Sequence, residues 1–308
     1  MRFTVSPNLP QPARTASNLV QMALKVKRNI ADKLIHDGAV QCRGRTLSQT
    51  HLQLKIGDEI EIEYAPQPIA SPKKNARKRQ ERFEVVHDDE HLIVVNKPAG
   101  LLTVPTPKRE ANTLQSQIRK WLERKQPNAQ AICVHRLDRG VSGLLVFAKS
   151  YGIADLIRAQ FAARKPQRRY CAILQGEMSE REGTIRSYLA TDESLNRYSV
   201  NDPAGGELAI THFRVKEVWK GTTQVEVRLE TGRRNQIRVH MAEAGHPILG
   251  DPRYRPHEAE HPHWPHKRLA LHAETLGIEH PVTHELLVFK APWPQEFRDL
   301  RRKLSKQS

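Results

Sequence analysis

Cysteine is scarce: Cys42, Cys133 and Cys171 are the only three in 308 residues, and they are far apart. An odd number at unrelated spacings supports neither a disulfide framework nor a Cys-x-x-Cys metal site, and a reducing cytoplasm is the expected setting. No run approaches the ~18 apolar residues of a membrane span. The opening Met-Arg-Phe-Thr-Val-Ser-Pro lacks the apolar stretch of a signal peptide, so a soluble chain is expected. Acidic residues are also in short supply, 34 against 50 Lys plus Arg, which leaves a net charge of +16. Such an excess points to a polyanionic partner, nucleic acid being the commonest.

The length suits two domains, one small and one large. Residues 1–65 read as a small module. Thr15 or Ser17 is placed to cap a helix carrying Leu19, Val20 and Ala23, and a second helix carries Ile30, Leu34 and Ile35. Gly38 ends it, and a short strand over 39–42, a Gly57-Asp58 turn and the alternating Glu59-Ile60-Glu61-Ile62-Glu63-Tyr64 follow. Lys27, Arg28, Lys33, Arg43 and Arg45 make this module a candidate RNA-binding surface. Residues 66–82 hold three prolines and a basic run, Lys73, Lys74, Arg77, Lys78 and Arg79 among them, as expected of an extended linker able to touch phosphates.

Residues 83–308 alternate strands with a few helices, an α+β pattern with a mixed, mostly antiparallel sheet. Strands are expected at 83–87, 92–95, 143–148, 170–175, 213–219 and 225–230. Helices are expected at 114–124, capped by Thr113, and after residue 150, with Ile153, Leu156, Ile157 and Phe161 as the apolar stripe. The basic Arg298, Arg301, Arg302, Lys303 and Lys306 read either as a further RNA grip or as a solvated tail.

The most informative run is His135-Arg136-Leu137-Asp138-Arg139-Gly140-Val141-Ser142-Gly143-Leu144-Leu145-Val146. A carboxylate flanked by Arg136 and Arg139 is favoured in its charged form, able to attack carbon or take a proton. The bland alternative is a structural Arg136–Asp138 ion pair. Three other blocks stand out: Asn96-Lys97-Pro98-Ala99-Gly100-Leu101, the stretch from Phe161 to Tyr170-Cys171-Ala172-Ile173-Leu174-Gln175-Gly176, and Thr231-Gly232-Arg233-Arg234-Asn235-Gln236-Ile237-Arg238-Val239-His240, which continues to Gly250-Asp251.

Together these blocks resemble the RluA family of RNA pseudouridine synthases over nearly all of the large domain. The small module resembles the alpha-L RNA-binding domain of a ribosomal small-subunit protein, with Arg43-Gly44 where Asn-Gly is usual. The resemblance implies a pseudouridine synthase fold behind an alpha-L-like domain and an isomerase that needs no cofactor. It implies Asp138 as the essential carboxylate, acting on the sugar or on a ribose proton, with Tyr170 stacked on uracil and Arg238 paired bidentately with Asp138. Arg136 would fill the space of the flipped nucleotide, and His135, Lys97, Arg233 and Gln236 would help to hold substrate. Val141 and Arg234-Asn235 depart from the family's usual Thr and Thr-His.

Large-subunit ribosomal RNA is the expected substrate and a monomer the expected state. Transfer RNA is the alternative substrate, and a non-catalytic RNA-binding or ribosome-assembly factor the alternative function. His257-Glu258-Ala259-Glu260-His261 matches the His-Glu-x-x-His zinc motif, but Pro256 and Pro262 leave room for about one helical turn, so no metal is expected.

Overall fold

The computed structural model describes residues 2–7, 14–24, 26, 28–63 and 83–306. Lys27 and the linker residues Lys73, Lys74, Arg77, Lys78 and Arg79 lie outside the described residues. The chain divides into two compact units, Met1–Arg79 and Gln80–Ser308.

The first unit contains β1 (Arg2–Thr4), α1 (Ala16–Leu24), α2 (Arg28–His36), β2 (Val40–Cys42), β3 (Arg45–Thr46) and β4 (Glu59–Ile62). Its antiparallel sheet runs β1-β4-β2-β3. Leu19, Val20, Ala31, Ile35, Val40, Ile60 and Ile62 form a core of its own. Ala31 and Ile35, one turn apart, face that core, whereas Ile30 is exposed, a correction to the expected stripe. Thr15 accepts from the Asn18 N–H, while Ser17 is buried inside α1 and donates to Asp32 at 2.5 Å. Arg43 and Gly44 form the β2–β3 turn with φ of 51° and 72°, the left-handed pair that a two-residue hairpin requires. Arg28, Lys33 and Arg45 are exposed, and Arg43 is exposed while pairing with Asp58.

The second unit contains β5 (Glu84–Asp88), β6 (Leu92–Lys97), α3 (Leu114–Glu123), β7 (Ile132–Cys133), β8 (Ser142–Ala148), α4 (Tyr151–Ala162), β9 (Gln167–Gln175) and β10 (Glu182–Thr191). There follow β11 (Arg197–Val200), β12 (Glu207–Trp219), β13 (Thr222–Leu229), α5 (Gln236–Glu243), β14 (Leu271–Glu279), β15 (Leu286–Lys290) and α6 (Gln295–Leu304). One sheet runs β11-β10-β12-β13-β9-β14-β8-β6-β5, with β15 on β14 and β7 on β8. Only β14–β8 is parallel, so the sheet is mixed and mostly antiparallel.

Thr113 caps α3 through a reciprocal pair with Ser116. In α4, Ala154 and Ile157 are buried but Leu156 is exposed, which narrows the expected stripe. The basic C-terminal segment is not a solvated tail: Phe297, Leu300 and Leu304 recur at helical spacing and bury one face of α6, while Arg301 pairs with Glu217. Residues 256–259 form a turn and 260–261 are irregular, so the two histidines share no helical face.

Candidate active site

The central strands β8, β14 and β9 bring the sequence blocks together. Gly143 has φ of 117°, and its Cα lies so close to β14 that a Cβ would come within 2.2 Å of the Ala273 carbonyl oxygen. That close approach seats the start of β8 beside Ala273, which is paired in turn with Tyr170 on β9. Asp138, four residues before β8, is thereby carried to the Tyr170 side of the sheet.

The loop bearing Asp138 is strapped to the 98–103 turn. The Gly100 N–H donates to Arg139 O at 2.7 Å and Arg139 Nε returns to Gly100 O at 3.1 Å. Thr103 Oγ1 donates to Leu137 O at 2.8 Å and accepts from the Leu137 N–H. Lys97 is wholly buried beneath this turn, its ammonium bonded to the carbonyls of Pro98 and Leu101 at 3.0 and 2.9 Å. Burial pushes its pKa down to about 7, against the pull of Asp138. The expected substrate contact from Lys97 is therefore corrected: no solvent-reachable atom remains to touch RNA, and the side chain braces the loop.

Asp138 Oδ2 accepts from Arg238 Nη1 at 2.9 Å, 100 positions along the chain. The bidentate partner of Arg238 is instead Asp251, at 2.8 Å on both oxygens, a second correction. The Asp251 carboxylate is almost fully buried and also accepts the N–H groups of Arg253 and Tyr254. Between two carboxylates, and despite burial, the Arg238 guanidinium is held more firmly protonated than usual. Arg136 makes no hydrogen bond or ion pair among the described residues, so the bland Arg136–Asp138 pair is absent there.

Gln236 is buried and fully used inside the protein. Its Oε1 accepts from Thr231 Oγ1 and the Arg233 N–H, and its Nε2 donates to Ile210 O and Thr211 Oγ1. It shapes the 231–235 loop rather than offering a polar group to substrate. Asn235 sits at the N-cap of α5 with φ of 59°, a conformation Asn tolerates, and its amide reaches Tyr254 Oη. His135 accepts the Val146 N–H at 3.1 Å and stacks on Phe161 with centroids 4.6 Å apart. Its pKa is pushed down to about 3 by burial and the Arg168 charge, so it is a neutral wall of the site.

These pieces line a cleft of about 720 Å³ that holds Asp138, Tyr170, Arg136, Arg164, Arg168, Arg233 and Arg234. Five arginines surround a single acid. Arg233 is tied to Leu208 O and Glu207 yet still lines the cleft. Tyr170 is nearly buried, and that burial raises the phenol pKa so that it stays protonated. The Cys133 thiol in the wall is pushed up to about 11 by burial and is not a nucleophile at neutral pH. Asp251, Arg164 and Arg168 were not expected as members of the site, although Asp251 closes the quoted Gly250-Asp251 pair and both arginines lie within the quoted stretch from Phe161 to Tyr170.

The sequence pattern of the RNA pseudouridylate synthase family matches residues 91–243. The ribosomal large subunit pseudouridine synthase D of Zymomonas mobilis subsp. mobilis is 34% identical over 297 residues, covering 93% of this chain and 92% of that protein. The dual-specificity RNA pseudouridine synthase RluA of Pasteurella multocida is 36% identical over 213 residues, covering 68% and 93%. Among solved structures, human RNA pseudouridylate synthase domain containing 4 shares the fold at a TM-score of 0.60, with 21% identity and coverage of 72% of this chain and 93% of that one. A carboxylate and a tyrosine in an arginine-lined cleft, on this fold and at these identities, make the chain a member of the RluA-type RNA pseudouridine synthases, an isomerase acting on RNA.

Proposed function

We infer that this enzyme isomerises uridine in large-subunit ribosomal RNA, with Asp138 as the reacting carboxylate. The observation that carries the assignment is the isolation of Asp138: it is the one acid lining a cleft of five arginines, beside Tyr170 and held by Arg238. In the reaction the bond from ribose C1′ to uracil N1 breaks, the base turns, and C1′ joins C5. N1 gains a proton and C5 releases one, so the change is isomeric and calls for no redox or phosphoryl group. Asp138 acts at the ribose while that bond is broken. The Tyr170 ring gives the detached base a flat surface on which to turn without escaping, and Arg238 fixes the carboxylate's orientation. Arg136, without a hydrogen bond or ion pair among the described residues, is the group available to fill the gap left by the flipped nucleotide.

The ribosomal assignment rests on a relative that is named for the large subunit and is similar along most of its length. The exposed basic residues Arg28, Lys33, Arg43 and Arg45 of the first unit suit a grip on RNA shape and phosphates. Carbodiimide-dependent reverse-transcription mapping of total RNA from wild type and from a strain lacking the gene tests it. Loss of a stop in large-subunit RNA supports the assignment. Loss only in transfer RNA moves the substrate, and unchanged stops, together with no activity of the purified protein on unmodified RNA, leave the binding-factor reading in its place.

A further inference from the structure

Among the described residues, Arg168 is a buried charge without a counter-ion. It is only 7% exposed, lines the cleft, and has a single hydrogen bond among the described residues, from Nη2 to Glu230 O at a long 3.4 Å. Its Nε is buried with no partner. The carboxylate of Glu230, the residue whose carbonyl Arg168 touches, is already engaged by Arg164 at 3.0 Å and by His212 at 3.3 Å. Guanidinium does not shed its proton, and burying it unpaired is strongly unfavourable, so the free protein keeps an unmet demand for an anion here.

The surroundings are built to admit this group. A Cβ on Gly232 would stand 2.3 Å from Arg168 Nη1, so only glycine at 232 leaves the guanidinium its place against the cleft loop. The Phe161 ring lies 5.5 Å beneath it and leaves the polar edge for a ligand. Arg168 and Tyr170 are alternate residues of β9 and project to one face, about 7 Å apart along the strand. With the base at Tyr170, the group within one nucleotide's reach of Arg168 is a phosphodiester. A uracil carbonyl would supply a hydrogen bond but not the missing charge.

We propose that Arg168, seated by Gly232, binds a single backbone phosphate adjacent to the target uridine. This deepens the pseudouridine synthase reading and rests on it for the position of the base. The guanidinium fork takes two phosphate oxygens at once, so the contact orients the nucleotide as well as attracting it.

The test uses the full-length protein and a short substrate RNA carrying one uncharged methylphosphonate at each position flanking the target uridine in turn. Kd and KM are measured for wild type, Arg168→Gln, Arg168→Lys and Gly232→Ala. For wild type, one flanking methylphosphonate is expected to weaken binding by about ten- to a hundredfold. Arg168→Gln is expected to lose a similar factor on unmodified RNA, to become insensitive to that methylphosphonate, and to lower the salt slope of binding by about one. Arg168→Lys recovers part of the loss, and Gly232→Ala reproduces the Gln variant by displacing the guanidinium. The proposal is overturned if the losses from Arg168→Gln and the methylphosphonate multiply, or if Kd is unaffected by either. If Arg168→Gln does not fold, the scan with wild type alone decides, since no sensitive flanking position would equally overturn it. Because Kd is read apart from turnover, a wild type that binds this RNA without isomerising it counts against the activity reading and not against the phosphate contact.

Discussion

Arg238 shows how one residue ties stability to chemistry. Its guanidinium closes a fork on buried Asp251 and spares one N–H for Asp138. Truncation strands a carboxylate that is nearly inaccessible to water, so Arg238→Ala is expected to lower unfolding free energy by roughly 3–5 kcal/mol, read by urea denaturation. Asp138→Ala, which removes only the more exposed partner, should lower it far less. Asp138, Tyr170 and Arg238 stand out in the sequence because each sits in a contiguous block whose residue types suit the reaction, and the structure brings Asp138 and Tyr170 to one cleft with Arg238 bonded to the carboxylate. Lys97 and Gln236 lie in the same blocks, yet their polar ends are spent inside the protein, whereas His135 does line the cleft. Sequence marks their presence, whereas only packing shows that the Lys97 ammonium ends on two carbonyls or that both ends of the Gln236 amide are occupied. Lysine is rarely buried, which makes such a position hard to foresee.

At the level of elements, the site depends on the parallel contact of β8 with β14. Gly143 is the residue that permits it, through both its positive φ and the lack of a side chain. Gly143→Ala is expected to destabilise the large unit by about 2 kcal/mol or more and to lower turnover, because separating the strands moves Asp138 away from Tyr170. Thermal melts and a turnover assay check both effects. Alternation and turn signals made β5, β6, β8, β9, β12 and β13 readable, but β7, β10, β11, β14 and β15 were not foreseen, nor was the spatial order, since β8–β14 and β9–β14 join residues about a hundred or more positions apart. The reading of α6 wavered because five basic residues hide the i, i+3, i+7 spacing of Phe297, Leu300 and Leu304.

At the scale of the whole molecule, the +16 charge suits RNA, while three histidines of the large unit resist protonation. His135, His240 and His272 are held neutral by burial, with pKa values pushed down to about 3, 4 and 4. The unfolded chain, with ordinary histidine values near 6.5, takes up protons first as pH falls. Each of these groups therefore withdraws stability from about pH 6.5 down to its folded pKa, by about 1.4 kcal/mol per pH unit at most, and adds no further loss below it. Denaturation midpoints are expected to drop steeply between about pH 6.5 and 4, and His240→Gln, which keeps hydrogen-bonding capacity toward Thr211 and Ser187, should flatten the slope.

The most direct test of the account compares purified wild type and Asp138→Asn on an unmodified large-subunit RNA transcript, following pseudouridine formation and RNA binding in the same samples. The account predicts that Asp138→Asn forms no detectable pseudouridine while its RNA affinity stays within about threefold of wild type, because arginines rather than this carboxylate hold the phosphates. Pseudouridine formation by the Asn variant at near the wild-type rate would contradict it.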